Sequence, residues 1–319
     1  MEKALVLRRG LLTALILLIG SVALFLFYKM GNSWEFALRF RGIKVIAIIV
    51  VAGCVAFSSV TFQTLTDNRI LTPSIMGFES LYLLIQTIIV FIYGDQTFKV
   101  LSHVDNFLIS VTGMITFSFL LYLMIYKKGK DNLYLLLLVG IIFGTLFSSL
   151  SSFMQLLIDP NDFFIIQGKM FATFNKINTD LLWPSLVIMV IILFIGFRMA
   201  KYLDVVALGR DQAINLGLNY NRAVKIFLVF IAILVSVSTA LVGPITFLGL
   251  LVTNLTYELF KTHKHSIIIT ACFLVSAIAL LIGQFFMERV FNLSVPISAI
   301  INIIGGFYFM YLLLRVKKL

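Results

Sequence analysis

Nine stretches of the chain each run for roughly the 20 mostly apolar residues that an α-helix needs to cross the hydrocarbon of a bilayer. They are residues 11–28, 43–62, 75–93, 107–126, 133–153, 181–197, 224–242, 266–287 and 297–314. A tenth, 245–260, is shorter and interrupted by glycine. Of the 319 residues 61% are hydrophobic and 12% charged, far more apolar surface than one water-soluble core can hide. The expected fold class is all-α: a multi-pass membrane protein with about ten transmembrane helices. A single membrane-embedded domain is expected over residues 1–319 with no soluble domain, since the longest hydrophilic stretches are only residues 159–180 and 198–222.

A formal charge of +11 raises the question of nucleic acid. The basic residues, however, sit in short clusters between apolar runs, as the positive-inside rule leads one to expect, so the bilayer is the partner read from them. Ten spans put both termini on one side. Taking that side as cytoplasmic collects Lys3, Arg8 and Arg9, Lys127, Lys128 and Lys130, Arg198 and Lys201, Lys261 and Lys264, and Arg315, Lys317 and Lys318 there, and leaves a minority, among them Lys99, Lys169 and Lys176, outside. Omitting the tenth span would turn the last cluster outward. The expected location is the inner (cytoplasmic) membrane. The basic N-terminus followed by an apolar run is also how a secretory signal begins, but the run is long for one and lacks a clean small-x-small cleavage site; it reads as the first span.

Chemistry is mostly absent. There is no G-x-x-x-x-G-K-[ST] loop, no G-x-G-x-x-G opening a helix and no H-E-x-x-H, so ATP hydrolysis is not expected of this chain. Cys54 and Cys272 lie inside apolar runs without ligand spacing, and neither a disulfide, a metal site nor a cofactor is expected. An ionisable group at mid-bilayer costs about 2.5 to 3.5 kcal/mol on insertion scales, and the spans hold almost none. Glu79 is the exception; Lys44, Glu258 and Glu288 stand at span ends. Glu79 has two open readings: a carboxylate near the cytoplasmic mouth satisfied by water or by Ser80 and Tyr82, or a member of a cytoplasmic gate. His263 and His265 make an H-x-H pair, yet the lysines beside them oppose a cation, and a solvated basic turn is expected. Thr72-Pro73 with Gly77, and Gly243-Pro244 with Gly249, interrupt the two halves at similar places, a hint of broken helices near a transport path. Between spans, residues 202–222 read as two short helical pieces stopped by Gly209 and Gly217, with Leu203, Val206 and Ala207 on the first and Ala213, Ile214 and Leu216 on the second; Asp211 suits a helix start. Such a pair lies on the membrane surface or docks in a partner's groove.

At these residues the chain resembles the iron-siderophore and cobalamin permeases of ABC importers. After the second span the family's Q-x4-N-P-L-A-D-P-x3-G is matched by Gln63, Asn68, Pro73 and Gly77, with Arg69 and Thr72 where the family has Pro and Asp. The loop pattern L-G-x-x-x-A-x-x-L-G-[VL]-N is matched by Leu208, Gly209, Ala213, Leu216, Gly217, Leu218 and Asn219. G-P-I-x-F-[VL]-G-L-[IL]-V-P-H is matched from Gly243 and Pro244 through Gly249 to Val252, after which Thr253 and Asn254 replace Pro and His. Pro296, Gly305, Phe309 and Tyr311 fit a closing motif, with Ser298 in place of a Gly.

The resemblance implies a permease that dimerises around a central path, with a second copy or a different permease subunit. It also implies that the permease takes a ferric chelate from an extracytoplasmic binding (lipo)protein and is driven by two cytoplasmic ATPase subunits docked on the Leu208 to Asn219 loop. The departures point to a divergent branch of the catecholate or petrobactin kind. Arg41 and Lys44 stand where the family's R-L-P-R has basic residues that meet the binding protein; the alternative is that they anchor the span at the headgroups. An ion-coupled secondary transporter, and a permease for haem or cobalamin, remain the alternative functions. A membrane-embedded enzyme is disfavoured by the lack of paired carboxylates or a Ser/His set in the spans.

Overall fold

The computed structural model describes residues 2–29, 34–126, 133–175, 177–293 and 295–316. Lys127, Lys128, Lys130, Lys176, Lys317 and Lys318 therefore lie outside the described residues, and of Lys3 and Arg315 only the backbone is described. The described chain is helical, without a strand: α1 (Glu2–Phe27), α2 (Trp34–Thr66), α3 (Phe78–Tyr93), α4 (Thr97–Val100), α5 (His103–Tyr126), α6 (Leu133–Gln155), α7 (Pro160–Lys169), α8 (Thr179–Val206), α9 (Arg210–Asn215), α10 (Tyr220–Val242), α11 (Leu248–Leu259), α12 (His265–Arg289) and α13 (Ile297–Val316). In hydrocarbon every backbone N–H and C=O must be paired within the segment, which is why each of the ten apolar runs is covered by a helix.

Seven of these helices are long and apolar enough to cross a membrane; α3 and the described part of α13 are shorter apolar helices, and α11 has 12 residues. Four boundaries differ from expectation. Helix α2 begins at Trp34 rather than near residue 43 and has 33 residues, because its first turns need not be apolar to be helical. The run at 75–93 is split into a 3-10 turn, Pro73–Met76, and α3 by Gly77 at φ 84°. The first piece expected in the 202–222 loop is the end of α8, which continues without a break for 28 residues. Inside the hydrophilic 159–180 stretch, Pro160 at the first turn and the Asp159 carboxylate, accepting from Asn161 N–H, start α7.

Helix α2 is the buried axis: 78% of its apolar window is buried, against 17% for α1. Helices α12, α10, α8 and α11 pack around it, and Ala47, Ile48, Val51, Ala52, Ala56, Phe57 and Val60 have no exposed surface. Leu and Ile side chains on α1, α6 and α8 stay exposed, the surface a lipid solvent leaves unpenalised. Among lipid-embedded helices close packing and hydrogen bonds replace the hydrophobic drive, and both occur. Gly140 and Gly144, four apart on α6, admit the backbone of Met76 and Gly77 so closely that an added Cβ at Gly77 would stand 3.0 Å from Gly144 Cα. Across α3, α5 and α6 a polar seam joins Gln86 to Asn106 and Ser110, Thr87 to Ser151, and Ser80 to Ser148.

Candidate transport path and coupling surfaces

The two Pro/Gly breaks meet through one carboxylate, Glu79, which is 167 positions from its partner Thr246. Ser74 Oγ donates to Glu79 Oε1 at 2.8 Å, and Thr246 Oγ donates to Glu79 Oε2 at 2.6 Å. Glu79, half-buried, is thus held by Ser74 and Thr246, while Ser80 pairs with Ser148. The breaks leave backbone groups that no helix ladder can satisfy, and short polar side chains gather there. A cavity of about 40 Å³ lies between α2 and both breaks, lined by Ser58, Ser59, Thr72, Glu79, Thr239 and Thr246 among others. Gly243 has φ 98°, a conformation open to glycine at no steric cost, and its backbone lies against Phe171 and Ala172. Gly249 faces Ser59, whose hydroxyl an added Cβ would strike. Pro73 and Pro244 are buried.

Beyond the breaks, the departures from the family pattern touch one another. Gln63 Nε2 donates to the Arg69 carbonyl and to Thr253 Oγ1, both at 2.8 Å, and Asn254 Nδ2 donates to the same carbonyl at 2.9 Å. The Arg69 guanidinium lies 4.7 Å from the centre of the Tyr257 ring. Asn68 closes the turn by accepting from Ile70 N–H. Arg69, Thr253 and Asn254 thus form a single clasp with Gln63 that ties the end of α2 to α11. Sequence spacing carried no sign that these positions pair.

At the end of the bundle that holds α7, Lys44 is 6% exposed. Its Nζ donates to Glu288 Oε1 at 2.6 Å and to Asn175 Oδ1 at 2.7 Å, while Gln284 Nε2 donates to the same two acceptors. Arg41 Nη1 donates to the carbonyls of Leu26 and Tyr28 at 2.7 and 3.0 Å, capping the last turn of α1. Lys44 and Glu288 thus pair with each other between α2 and α12, and Lys44 is not a free surface cation.

At the opposite end, His265 is buried rather than solvated: Asp204 accepts from its backbone N–H and from Nδ1, and Nε2 pairs with Thr64 Oγ1 at 2.8 Å. Of the H-x-H pair His263 is the exposed member. This knot joins α8, α2 and α12 beside a cavity of about 730 Å³ bordered by Asn68, Arg69, Asp204 and Leu208. In the neighbouring loop Gly209 and Gly217 have φ 95° and 84°. Gly217 N–H bonds to Ile214 O and Leu218 N–H to Ala213 O, a Schellman-type end to α9. Ala213 is fully buried and anchors α9, whereas Leu208, Ile214 and Leu216 are 50%, 50% and 64% exposed. Asn219 caps α10 by accepting from Arg222 N–H.

Comparison with known proteins matches the FecCD transport family over residues 8–315. The chain is 54% identical over 302 residues to the petrobactin import system permease protein YclO of Bacillus subtilis (strain 168), covering 95% of this chain and 96% of that protein. It is 37% identical over 279 residues to the petrobactin import system permease protein FatC of Bacillus anthracis, covering 88% and 79%. A solved structure described as a metal-chelate type ABC transporter in an inward-facing conformation superposes with a TM-score of 0.85 at 21% identity, over 97% of this chain and 99% of that one, and shows the fold. With the family matched from end to end and both family breaks facing one cavity, this chain belongs to the FecCD transport family.

Proposed function

We propose that the chain is the membrane-spanning permease subunit of an ATP-driven importer for a ferric siderophore of the petrobactin kind. The observation that carries the reading is the 54% identity, over 95% of the chain, to a petrobactin import permease. The chain supplies no ATPase site; hydrolysis belongs to two cytoplasmic ATPase subunits. These dock on the loop Leu208, Gly209, Ala213, Leu216, Gly217 and Asn219, where three exposed apolar side chains on a polar loop support a docking role. Ten spans with both termini cytoplasmic fit the distribution of basic residues. The path runs past Gln63, Asn68, Pro73, Gly77, Glu79, Gly243, Pro244 and Gly249 in the inner (cytoplasmic) membrane. It is completed by a second permease subunit, the same or different, and is fed by an extracytoplasmic binding lipoprotein, for which Arg41 remains the nearer of the two basic candidates to the surface.

Uptake of radiolabelled iron as ferric petrobactin, in cells carrying or lacking this chain, tests the proposal. Loss of uptake on deletion, restored by the gene and abolished by ATP depletion with the ion gradient intact, is expected. Uptake that survives ATP depletion and follows the ion gradient would overturn it in favour of secondary transport.

A further inference from the structure

On the far side of the Gly243 break from the small Glu79 cavity lies a second cavity of about 410 Å³. Val242 and Gly243 line both. Close backbone contacts lie between them: Thr173 N–H donates to the Val242 carbonyl at 2.8 Å, and an added Cβ on Gly243 would stand 3.0 Å from both Ala172 Cα and Phe171 O. The wall carries Lys169 at the end of α7, His103, the aromatic rings of Tyr82, Phe164 and Phe171, and Thr173, with no carboxylate among its lining residues.

Lys169 is half-buried, and desolvation pushes its pKa below the usual lysine range. The contrast with Lys44 is informative. That buried ammonium has Glu288 and Asn175 against it, whereas Lys169 makes no ion pair or hydrogen bond with a described residue. A charge drawn partly out of water without a partner is held at a free-energy cost, and in a cavity that cost is recovered when a ligand of opposite sign enters. Aromatic walls add faces against which flat rings stack.

Resting on the importer reading above, which makes this the extracytoplasmic side, we propose that the cavity is the outer cargo subsite. In it Lys169 selects an anionic, aryl-bearing ferric chelate of the catecholate type over a neutral hydroxamate one. Iron(III) held by catecholates keeps net negative charge, while iron(III) held by three hydroxamates is neutral, so one ammonium between aromatic walls distinguishes the two. The backbone seal between residues 171–173 and 242–243 then divides this subsite from the inner cavity.

The test uses the whole importer, reconstituted with its ATPase, binding protein and both permease positions, and ferric petrobactin as probe. Lys169→Met is expected to reduce uptake on the order of tenfold, Lys169→Arg to keep most of it, and Lys169→Glu to reduce it further than Lys169→Met. Cargo-free ATPase activity and thermal stability in detergent should stay at wild-type levels in all three. Equal uptake by wild type and Lys169→Met overturns the proposal. So does an Arg variant as poor as Met, which would deny a role for charge, or a parallel loss of cargo-free ATPase, which would make Lys169 a structural residue. If the wild-type importer moves no ferric petrobactin at all, the importer reading falls first and the subsite with it.

Discussion

Lys44 and Glu288, 244 positions apart, meet at 2.6 Å with both side chains nearly excluded from solvent. Removing one partner of such a pair strands a buried charge and typically costs about 3 to 5 kcal/mol, whereas replacing both is often close to neutral. Lys44→Met should therefore strongly lower the thermal stability of the detergent-solubilised protein, and Lys44→Met with Glu288→Met should recover most of the loss. If the double variant is no more stable than the single, the pair is not the stabilising unit. A similar argument orders the members of the Arg69 clasp. Gln63 Nε2 serves two acceptors outside its own helix, Arg69 O and Thr253 Oγ1, whereas Asn254 Nδ2 reaches only the first of these beyond α11, its other bond going back to Leu250 O one turn earlier; an unmade buried hydrogen bond costs about 1 to 3 kcal/mol. Gln63→Leu should lower the melting temperature more than Asn254→Leu does, and the reverse order would refute the assignment. From the sequence, Lys44 reads as an interfacial lysine and His265 as part of a wet turn, because local spacing reports what surrounds a residue along the chain. It does not report that Glu288, or Asp204 and Thr64, arrive from elsewhere.

Elements carry the next set of consequences. Gly249 on α11 packs against Ser59 on α2, and the next atom an added Cβ would meet after Ser59 is Thr72 Cγ2 at 3.7 Å. Gly249→Ala should reduce both stability and uptake, and Ser59→Gly introduced alongside should restore a substantial part of each; Gly20→Ala, which meets nothing within 4 Å, serves as the silent control. Failure of the Ser59→Gly rescue would indicate that close approach is not the reason for glycine at 249. In the α9 loop, Leu216 is exposed, so Leu216→Asp should leave folding and insertion unchanged. The same carboxylate would be stranded in an apolar docking groove, and uptake should fall to background while the protein remains in the membrane. Normal uptake by a well-expressed variant would reduce the loop to surface. The glycines at 77, 209, 217 and 243 were legible as stops, since turn chemistry is local. The length of α8 was not: nothing after residue 197 forbids helix, and a polar helix leaving the bilayer looks in sequence like a loop.

At the scale of the whole molecule the described residues form helices with no appended soluble unit, and the sequence has no phosphate-binding loop. The purified chain alone should show no ATP hydrolysis, with activity appearing only when a separate nucleotide-binding subunit is added; hydrolysis by a contaminant-free preparation would contradict the subunit assignment. The solvent each segment requires is decided by its own composition, and the local breaks by Pro and Gly. For that reason the all-helical class, the positions of the seven long apolar helices, the interruptions at Pro73 and Pro244 and the family motifs could be read along the chain. Which faces meet is a different kind of information. That α2 is the buried axis, that Glu79 receives Thr246 from the other half, that Asn254 reaches the Arg69 carbonyl and that Lys169 lies in a cavity with no counter-charge among the described residues all depend on contacts between residues far apart in the chain. No propensity or period encodes those contacts; only the packing of the helices against one another decided them.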